Sequence, residues 1–504
     1  MINWTQAIAK ARLSITEQTL WSDFLRPIAL RRLLKYIETN TQAFGDTRRP
    51  LRVRQDRAEM LQALLCSAAR ALERRQISRE MLRNGLKALW GTQVTDLQDN
   101  KLSNTIERFT ERHGGQQPPW SMVISPSRAC NLRCIGCYAS AGQDAEQLEW
   151  DVFTRIIREA RELWGLRFFT ISGGEPYAYR SQGKSVLDLA AQFPDCFFMT
   201  YTNGTLLDEQ ITEQMARLGN ITPVISVEGF EKRTDERRGA GVFQRILEAM
   251  ANLRRSQVLF GISITATRNN AEEILSDEFV DFFFGKQQAV YGWLFQYMPI
   301  GKGQTLQLLV TPEQRVWMWR RVWQIIRERK ILLADLWNCG TASEGCIAAG
   351  VYGGYLYIDW NGKVMPCVFV PYATANIHDI YRAGGTLDDV YDRPYLRAIR
   401  DWQWEYGLGK QKPEEHGNWL LPCSLRDHYR TGHELIQIHK AEPEDEFAAE
   451  ALRDPEYREG MIEYDKRLHE LFDPIWEKEY LGVCSPGHAE EAENAPAAAY
   501  TSSR

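Results

Sequence analysis

The sequence lacks several features that would place it in particular classes of protein. No apolar run approaches the roughly 20 residues of a membrane-spanning helix, and residues 1–6 contain no basic leader for secretion. Internal repeats and a helix-turn-helix signature are also missing, so we expect no nucleic-acid partner. The 10 cysteines among 504 residues are accordingly expected to act as thiolates in a reducing cytoplasm and not as disulfides.

Charge is unevenly distributed along the chain. Residues 1–119 hold 20 Lys and Arg against 12 Asp and Glu, whereas the whole chain holds 61 against 66. Apolar residues at helical spacing, such as Leu30, Leu33 and Leu34, predict a helical first domain. This basic domain could bind an acidic peptide, an anionic lipid surface or the acidic remainder of the chain. Peripheral membrane contact through this domain therefore stays open.

Three cysteines, Cys130, Cys134 and Cys137, stand at C-x3-C-x2-C spacing. A short loop can point all three sulfurs at one centre, where they would bind a soft metal or an iron–sulfur cluster. Three sulfurs are one too few for a closed zinc site or a fully ligated four-iron cluster, which leaves one position open for a small molecule. The alternatives are half of a structural zinc site or three buried apolar cysteines.

From Ser121 onward, short β-branched and aromatic runs alternate with amphipathic helical stretches. This alternation predicts a parallel sheet with crossover helices and ligand sites at the carboxyl ends of the strands. The predicted strands are 122–125, 167–172, 196–202, 222–227, 259–265 and 291–298, and the predicted helices are 149–163, 183–192, 208–217, 242–254 and 275–285.

Polar and glycine-rich motifs follow three of these strands. Gly173, Gly174, Glu175 and Pro176 follow the second strand, Asn203 follows the third, and Ser226 ends the fourth. Glycines let the backbone pass close to a ligand, and a carboxylate can hold an ammonium group. Further along, Arg238 could clamp a carboxylate through a two-pronged contact or form an exposed ion pair with Asp235.

Together these motifs resemble the radical S-adenosylmethionine (SAM) superfamily. The resemblance implies a partial (β/α)6 barrel in which the three cysteines hold a [4Fe–4S] cluster whose fourth iron binds SAM. It further implies that the Gly173–Pro176 turn receives the amino group of SAM, Asn203 its ribose, and Ser226 and Arg238 other parts of it. One departure is Gly136, where many members carry an aromatic residue near the adenine; here the aromatic residue is Tyr138.

A second cysteine group lies further along, at Cys339, Cys346, Cys367 and Cys423. The segment 355–365 predicts a hairpin with an Asn-Gly turn that brings Cys346 and Cys367 together. The pattern resembles the SPASM or twitch domain and implies one auxiliary [4Fe–4S] cluster, with zinc as the competing interpretation. If Cys339 is not a ligand, the auxiliary cluster keeps an open iron; if it is, the cluster is closed and suited to electron transfer.

The predicted fold class is α/β, with an α-helical N-terminal domain, a partial radical SAM barrel and a small auxiliary-cluster domain. The predicted boundaries are 1–117 for the helical domain, 118–310 for the barrel, 311–430 for the auxiliary-cluster domain, 431–484 for a helical segment covering the barrel's open side, and 485–504 for a disordered tail.

The resemblance implies an enzyme that cleaves SAM reductively and abstracts a hydrogen atom from a peptide or protein, with a flavodoxin- or ferredoxin-like reductant. The alternatives are the same chemistry on a lipid or small metabolite, and a non-catalytic iron–sulfur electron carrier, which would bind no SAM. Motifs identify no catalytic residue.

Overall fold

The computed structural model describes residues 16–40, 46–93, 100–142, 146–302 and 305–482. Its strands are β1 (Ser121–Ile124), β2 (Phe168–Ile171), β3 (Phe197–Thr202), β4 (Ile221–Val227), β5 (Gly261–Ala266), β6 (Tyr291–Gln296), β7 (Leu332–Asp335), β8 (Tyr355–Ile358), β9 (Lys363–Met365), β10 (Tyr372–Ala373), β11 (Ala375–Asn376) and β12 (Glu442–Pro443). All six strands predicted for the barrel are confirmed, with ends that differ by one or two residues. The predicted tail 485–504 lies outside the described residues.

The helices surround the sheet and extend beyond it at both ends of the chain. They are α1 (Leu25–Thr39), α2 (Leu51–Glu73), α3 (Arg79–Gln93), α4 (Asn100–Arg112), α5 (Trp150–Leu163), α6 (Val186–Gln192), α7 (Glu209–Leu218), α8 (Glu231–Arg238), α9 (Val242–Arg255), α10 (Asp277–Val280), α11 (Pro312–Gln324), α12 (Gly340–Ser343), α13 (Ile377–Arg382), α14 (Asp388–Tyr391), α15 (Pro394–Gln403), α16 (Tyr429–Ile438), α17 (Glu446–Arg453) and α18 (Pro455–Ile475). Helices α8 and α11 and strand β7 were not predicted.

One sheet of ten strands contains both the predicted barrel and the hairpin. Its order is β11-β9-β8-β1-β2-β3-β4-β5-β6-β7, and neighbours from β1 to β7 run parallel. The predicted hairpin is confirmed, since β8 and β9 pair antiparallel. However, β8 also pairs parallel with β1, with Tyr355 opposite Ser121. The sheet is therefore continuous across the predicted boundary at residues 310 and 311.

Local sequence signals explain where several barrel elements begin and end. Asp208 caps α7 by accepting a hydrogen bond from the Ile211 N–H at 2.8 Å, and Gly219 ends that helix with a φ of 66°. Thr311 and Gln314 form a capping box at the start of α11. Such signals fix the helices that lie between parallel strands, so the carboxyl ends of the strands open on one side.

The N-terminal helices dock on the rest of the chain. Arg49 and Arg57 pair with Glu344, with a 3.0 Å contact for Arg49, and Arg112 pairs with Asp388 at 2.5 Å. These pairs favour the intramolecular interpretation of the basic N-terminal charge. At the other end of the chain, α18 packs against α11 and α16. Within the described part of the chain, no helix has the length and apolar character needed to cross a membrane.

Candidate functional site

A cavity of about 650 Å³ opens at the carboxyl ends of the strands. This volume lies within the range of roughly 300–1,000 Å³ that is usual for small-molecule sites. Its wall contains Cys130, Cys134, Cys137, Gly173, Gly174, Asn203, Ser226 and Arg238, which were all predicted as site residues. The structure thus brings together residues that are up to 108 positions apart in the sequence.

The glycine turn packs directly on the cysteine loop. The Gly174 N–H donates to the Ser127 carbonyl and the Glu175 N–H donates to the Ala129 carbonyl, both at 2.8 Å. A Cβ atom at Gly174 would lie 2.1 Å from the Ala129 carbonyl oxygen. Since no side chain fits between the two segments, glycine is required for this close approach.

Glu175 and Pro176 do not line the cavity. The Glu175 side chain is 1% exposed and accepts hydrogen bonds from Thr202 Oγ1 at 2.7 Å, the Asn203 N–H at 2.8 Å and the Tyr177 N–H at 3.2 Å. Burial raises the pKa of Glu175 to about 7, although these hydrogen bonds lower it in part. Its predicted contact with the SAM ammonium stays a prediction.

Asn203 is also engaged within the protein. Its Nδ2 donates to Asn131 Oδ1 at 2.8 Å and lies 3.8 Å from Cys130 Sγ, while its Oδ1 accepts from the Thr205 N–H at 2.9 Å. It therefore fixes the first cysteine of the loop against the end of β3. Ser226 is half-buried at the end of β4 and faces the same cavity.

Arg238 pairs with Glu228 and not with Asp235. Its Nε and Nη2 lie 2.9 and 2.5 Å from Glu228 Oε1, and Arg237 contacts the same oxygen at 2.5 Å. The Asp235 carboxylate instead accepts hydrogen bonds from the Gly241 and Phe243 N–H groups. The alternative of an exposed Arg238–Asp235 pair was therefore wrong, because Asp235 caps the following helix.

Two guanidinium groups sharing one carboxylate leave an excess of positive charge at the cavity wall. Burial acts to lower the pKa of Arg238, but Glu228 outweighs burial and raises it. Arg238 Nη1 also lies 3.9 Å from Cys134 Sγ. A bound carboxylate, or the negative charge of ligated thiolates, would be stabilised here.

The ring of Tyr297 lies next to Gly136, the position where many family members carry an aromatic residue. A Cβ atom at Gly136 would lie 3.0 Å from the Tyr297 ring. Tyr138, the aromatic residue of the loop itself, is held by a 2.7 Å contact with Ser172 Oγ and accepts from the Gly173 N–H at 3.1 Å. Tyr138 thus connects the third cysteine to the glycine turn.

The donor set of the cysteine loop fits an iron–sulfur cluster. Three thiols face one cavity. Burial raises the pKa of Cys130 to about 11. Burial also raises the pKa of Cys134, although the nearby Arg238 acts to lower it. Such thiols keep their protons at neutral pH until a metal displaces them. Cys130, Cys134 and Cys137 would hold the cluster, and the glycine turn leaves room beside it.

In the second cysteine group the structure gathers Cys346, Cys367 and Cys423. Burial is the main cause that raises the pKa of all three thiols, to about 12 for Cys367 and Cys423. Nearby cysteines add to the shift for Cys367 and Cys423, and Asp427 adds to it for Cys423. The pKa of the Cys339 thiol is also raised chiefly by burial, and the acidic groups beside it are Asp335 and Asp56. Among the described residues, no three His, Cys, Asp or Glu side chains are arranged to hold a single metal ion.

The cavity extends from the first cysteine loop to residues that adjoin the second cysteine group. Ile347 follows Cys346, Val368 and Phe369 follow Cys367, and all three line the cavity that contains the first cysteine loop. Tyr355 lines it too, and its hydroxyl oxygen lies 2.9 Å from Cys367 Sγ.

Sequence motifs did not identify three other residues of the cavity wall. Arg237 was passed over in favour of its neighbour, although its Nε donates to the Ile135 carbonyl at 3.1 Å. Gln296 donates to both carboxylate oxygens of Asp335, at 3.2 and 3.0 Å, and its own Oε1 has no partner among the described residues. The indole N–H of Trp293 is likewise unpartnered. For Gln296, its position at the end of β6 was the available signal.

Comparison with known proteins agrees with this geometry. Residues 124–276 match the family described as the Radical SAM superfamily. The AdoMet-dependent heme synthase of Methanosarcina barkeri is 26% identical over 279 residues, which are 50% of this chain and 77% of that protein. Mycofactocin maturase MftC of Mycolicibacterium smegmatis is 27% identical over 299 residues, or 56% of this chain and 71% of that protein.

Among solved structures, Streptococcus suis SuiB bound to the precursor peptide SuiA aligns with a TM-score of 0.47 and 20% identity, covering 58% of this chain and 69% of that one. The family match falls on β1 to β5 and includes both the cysteine loop and the glycine turn. A radical SAM domain implies a [4Fe–4S] cluster and SAM as cofactors. Residues 124–276 are therefore a radical SAM domain, and the chain is an enzyme.

Proposed function

We propose that this enzyme cleaves SAM reductively and abstracts a hydrogen atom from a peptide or protein substrate. A [4Fe–4S] cluster with bound SAM supplies, on reduction, a 5′-deoxyadenosyl radical. The observation that carries the proposal is the shared cavity of Cys130, Cys134 and Cys137 with Gly173 and Gly174. In this cavity the cysteines hold the cluster, and the protein orients SAM and excludes water.

The residues beside the cysteine loop have separate roles in this proposal. Arg238 orients the SAM carboxylate and Ser226 contacts the same ligand, while Asn203 orients the ribose and the loop together. Glu175 holds the glycine turn in place through its buried hydrogen bonds. Pro176 begins a short helical turn behind it, so Glu175 and Pro176 shape the site from outside the cavity.

A peptide substrate is supported by the similarity to MftC, whose name makes it a maturase. Two residues of the cavity wall, Trp293 and Gln296, also carry a buried donor and a buried acceptor that have no partner among the described residues. The relative named heme synthase favours the alternative, in which a small metabolite occupies the same cavity.

We also propose one auxiliary [4Fe–4S] cluster in a SPASM- or twitch-like region, held by Cys346, Cys367 and Cys423. Their burial and mutual proximity support this ligand set. Cys339 stays a predicted fourth ligand; its neighbours Asp335 and Asp56 favour the option of an open iron. A flavodoxin- or ferredoxin-like protein is the proposed reductant.

The lipid alternative has one observation in its favour. Helix α1 and the residue before it expose apolar side chains, including Phe24 at 75% and Tyr36 at 61%, beside exposed Arg31, Arg32 and Lys35. Sedimentation of the full-length enzyme with phosphatidylglycerol vesicles, and with phosphatidylcholine vesicles as control, tests this alternative. Equal sedimentation with both would remove the case for contact with an anionic membrane surface.

The central proposal is tested with anaerobically reconstituted enzyme, dithionite and SAM. We expect 5′-deoxyadenosine from the wild type and none from the variant in which Cys130, Cys134 and Cys137 are all alanine. Retained production by that variant would defeat the assignment. Mass spectrometry of peptides and metabolites that change on deletion of the gene then separates the two substrate classes.

A further inference from the structure

Tyr355 connects the cavity to the second cysteine group. It is the first residue of β8, is 7% exposed, and lies opposite Ser121 of β1 in the parallel pairing. Its side chain lines the cavity that also contains Cys130, Cys134 and Cys137. Its hydroxyl oxygen lies 2.9 Å from Cys367 Sγ. The other described donor to this sulfur is the Phe369 N–H, at 3.4 Å.

The direction of this hydrogen bond follows from the charge on sulfur. A thiolate bound to iron has no proton to donate, so the tyrosine hydroxyl becomes the donor. A donor to a ligating sulfur withdraws electron density from the cluster. It therefore stabilises the reduced form, which carries more negative charge, and raises the reduction potential.

We propose that Tyr355 is a positioning residue that raises the reduction potential of the auxiliary cluster through its hydrogen bond to Cys367. This inference rests on the proposed auxiliary cluster. Tyr355 is buried and Cys367 is half-buried, so the hydrogen bond acts at a lower dielectric than it would in water. The same side chain forms part of the substrate cavity wall, which couples the electronic state of the auxiliary cluster to the surface that a substrate contacts.

Residue 357 provides a matched control. Tyr357 lies two positions further along β8, is 1% exposed, and donates its hydroxyl hydrogen to Ser125 Oγ at 3.0 Å. Tyr355→Phe and Tyr357→Phe each remove one buried hydroxyl from the same strand. Only the first removes a donor to a cysteine sulfur.

The experiment is a potentiometric titration of the full-length reconstituted enzyme, monitored by electron paramagnetic resonance. We expect the auxiliary-cluster midpoint to become more negative in Tyr355→Phe and to stay unchanged in Tyr357→Phe, while the SAM-binding cluster keeps its midpoint in both. Equal auxiliary midpoints in wild type and Tyr355→Phe overturn the inference. Absence of a second cluster from the wild type overturns the auxiliary-cluster proposal and this inference with it.

A second substitution covers the case in which Tyr355→Phe fails to assemble the cluster. Incorporation of 3-fluorotyrosine at position 355 keeps the ring and the hydroxyl but makes the hydroxyl a stronger donor. We expect the auxiliary midpoint to move in the opposite direction, to a more positive value. An unchanged midpoint with 3-fluorotyrosine would show that this hydrogen bond does not control the potential.

Discussion

Gly174→Ala is expected to separate the glycine turn from the cysteine loop. The added Cβ atom would lie 2.1 Å from the Ala129 carbonyl oxygen and 2.7 Å from the Arg128 carbonyl carbon. These are backbone atoms, so neither can move aside as a flexible side chain would. Relief requires the two segments to part by about 1 Å, since real Cβ contacts under 3.0 Å essentially do not occur.

Such a movement breaks the two 2.8 Å hydrogen bonds between the segments. Each contributes a net of about 0.5–1.5 kcal/mol, and overpacking costs about 1–3 kcal/mol. The expected loss is therefore about 2–6 kcal/mol, divided between the free energy of unfolding and the free energy of SAM binding. We expect at least a tenfold fall in 5′-deoxyadenosine production, because about 1.4 kcal/mol corresponds to a factor of ten.

Gly142→Ala is the matched control for this substitution. Gly142 also contacts the cysteine loop, since the Cys130 N–H donates to its carbonyl at 2.9 Å, but a Cβ atom there meets no atom of the described residues within 4 Å. The assays are urea unfolding of the reconstituted enzyme, equilibrium dialysis of SAM and the yield of 5′-deoxyadenosine. Wild-type values for Gly174→Ala in all three would refute the steric argument, as would an equal loss in Gly142→Ala.

Three further perturbations have defined outcomes. Arg315→Leu leaves the buried Asp427 carboxylate without its ion pair. We expect it to lower the free energy of unfolding by about 3–5 kcal/mol. A loss under about 1 kcal/mol in urea titrations would contradict this expectation. Arg238→Gln should raise the dissociation constant for SAM about tenfold or more, since a charge-assisted hydrogen bond contributes about 1.5–3 kcal/mol. The control is Arg233→Gln, on the same helix but outside the cavity wall. It should leave the dissociation constant unchanged. Burial acts to lower the pKa of His113, but hydrogen bonds to two aspartates outweigh it and raise that pKa above 6.5. The wild type should thus lose stability relative to His113→Asn as pH rises from about 6.5 through the raised pKa, and parallel melting-temperature curves from pH 6 to 9 would rule this out.

Local sequence signals were sufficient to predict the barrel strands and the cysteine loop. Cys130, Cys134 and Cys137 lie within one short segment. The alternation of apolar strands with amphipathic helices is also visible directly in the sequence. The Gly173–Pro176 turn could be placed because it directly follows a strand, and strands of a parallel sheet end on one side. The predicted helices 149–163, 208–217 and 242–254 agree with α5, α7 and α9 to within one residue at each end.

Sequence signals were weaker where the position of a strand depends on pairing with a strand far away in the chain. Strand β7 has only four residues and no alternating pattern, so its place beside β6 is fixed by the sheet it joins. The hairpin was predicted correctly from its Asn-Gly turn, but nothing local indicates that β8 joins β1, from which it is separated by more than 230 positions.

The sequence by itself indicated the radical SAM domain, because the cysteine loop and the glycine turn are each short continuous segments. Only the tertiary structure decided that Glu228 and not Asp235 pairs with Arg238, that Glu175 is buried and does not line the cavity, and that Tyr355 reaches Cys367. The physical reason is that charge pairing and burial depend on which side chains the folded sheet brings within a few ångströms of each other, and residue spacing does not specify those distances.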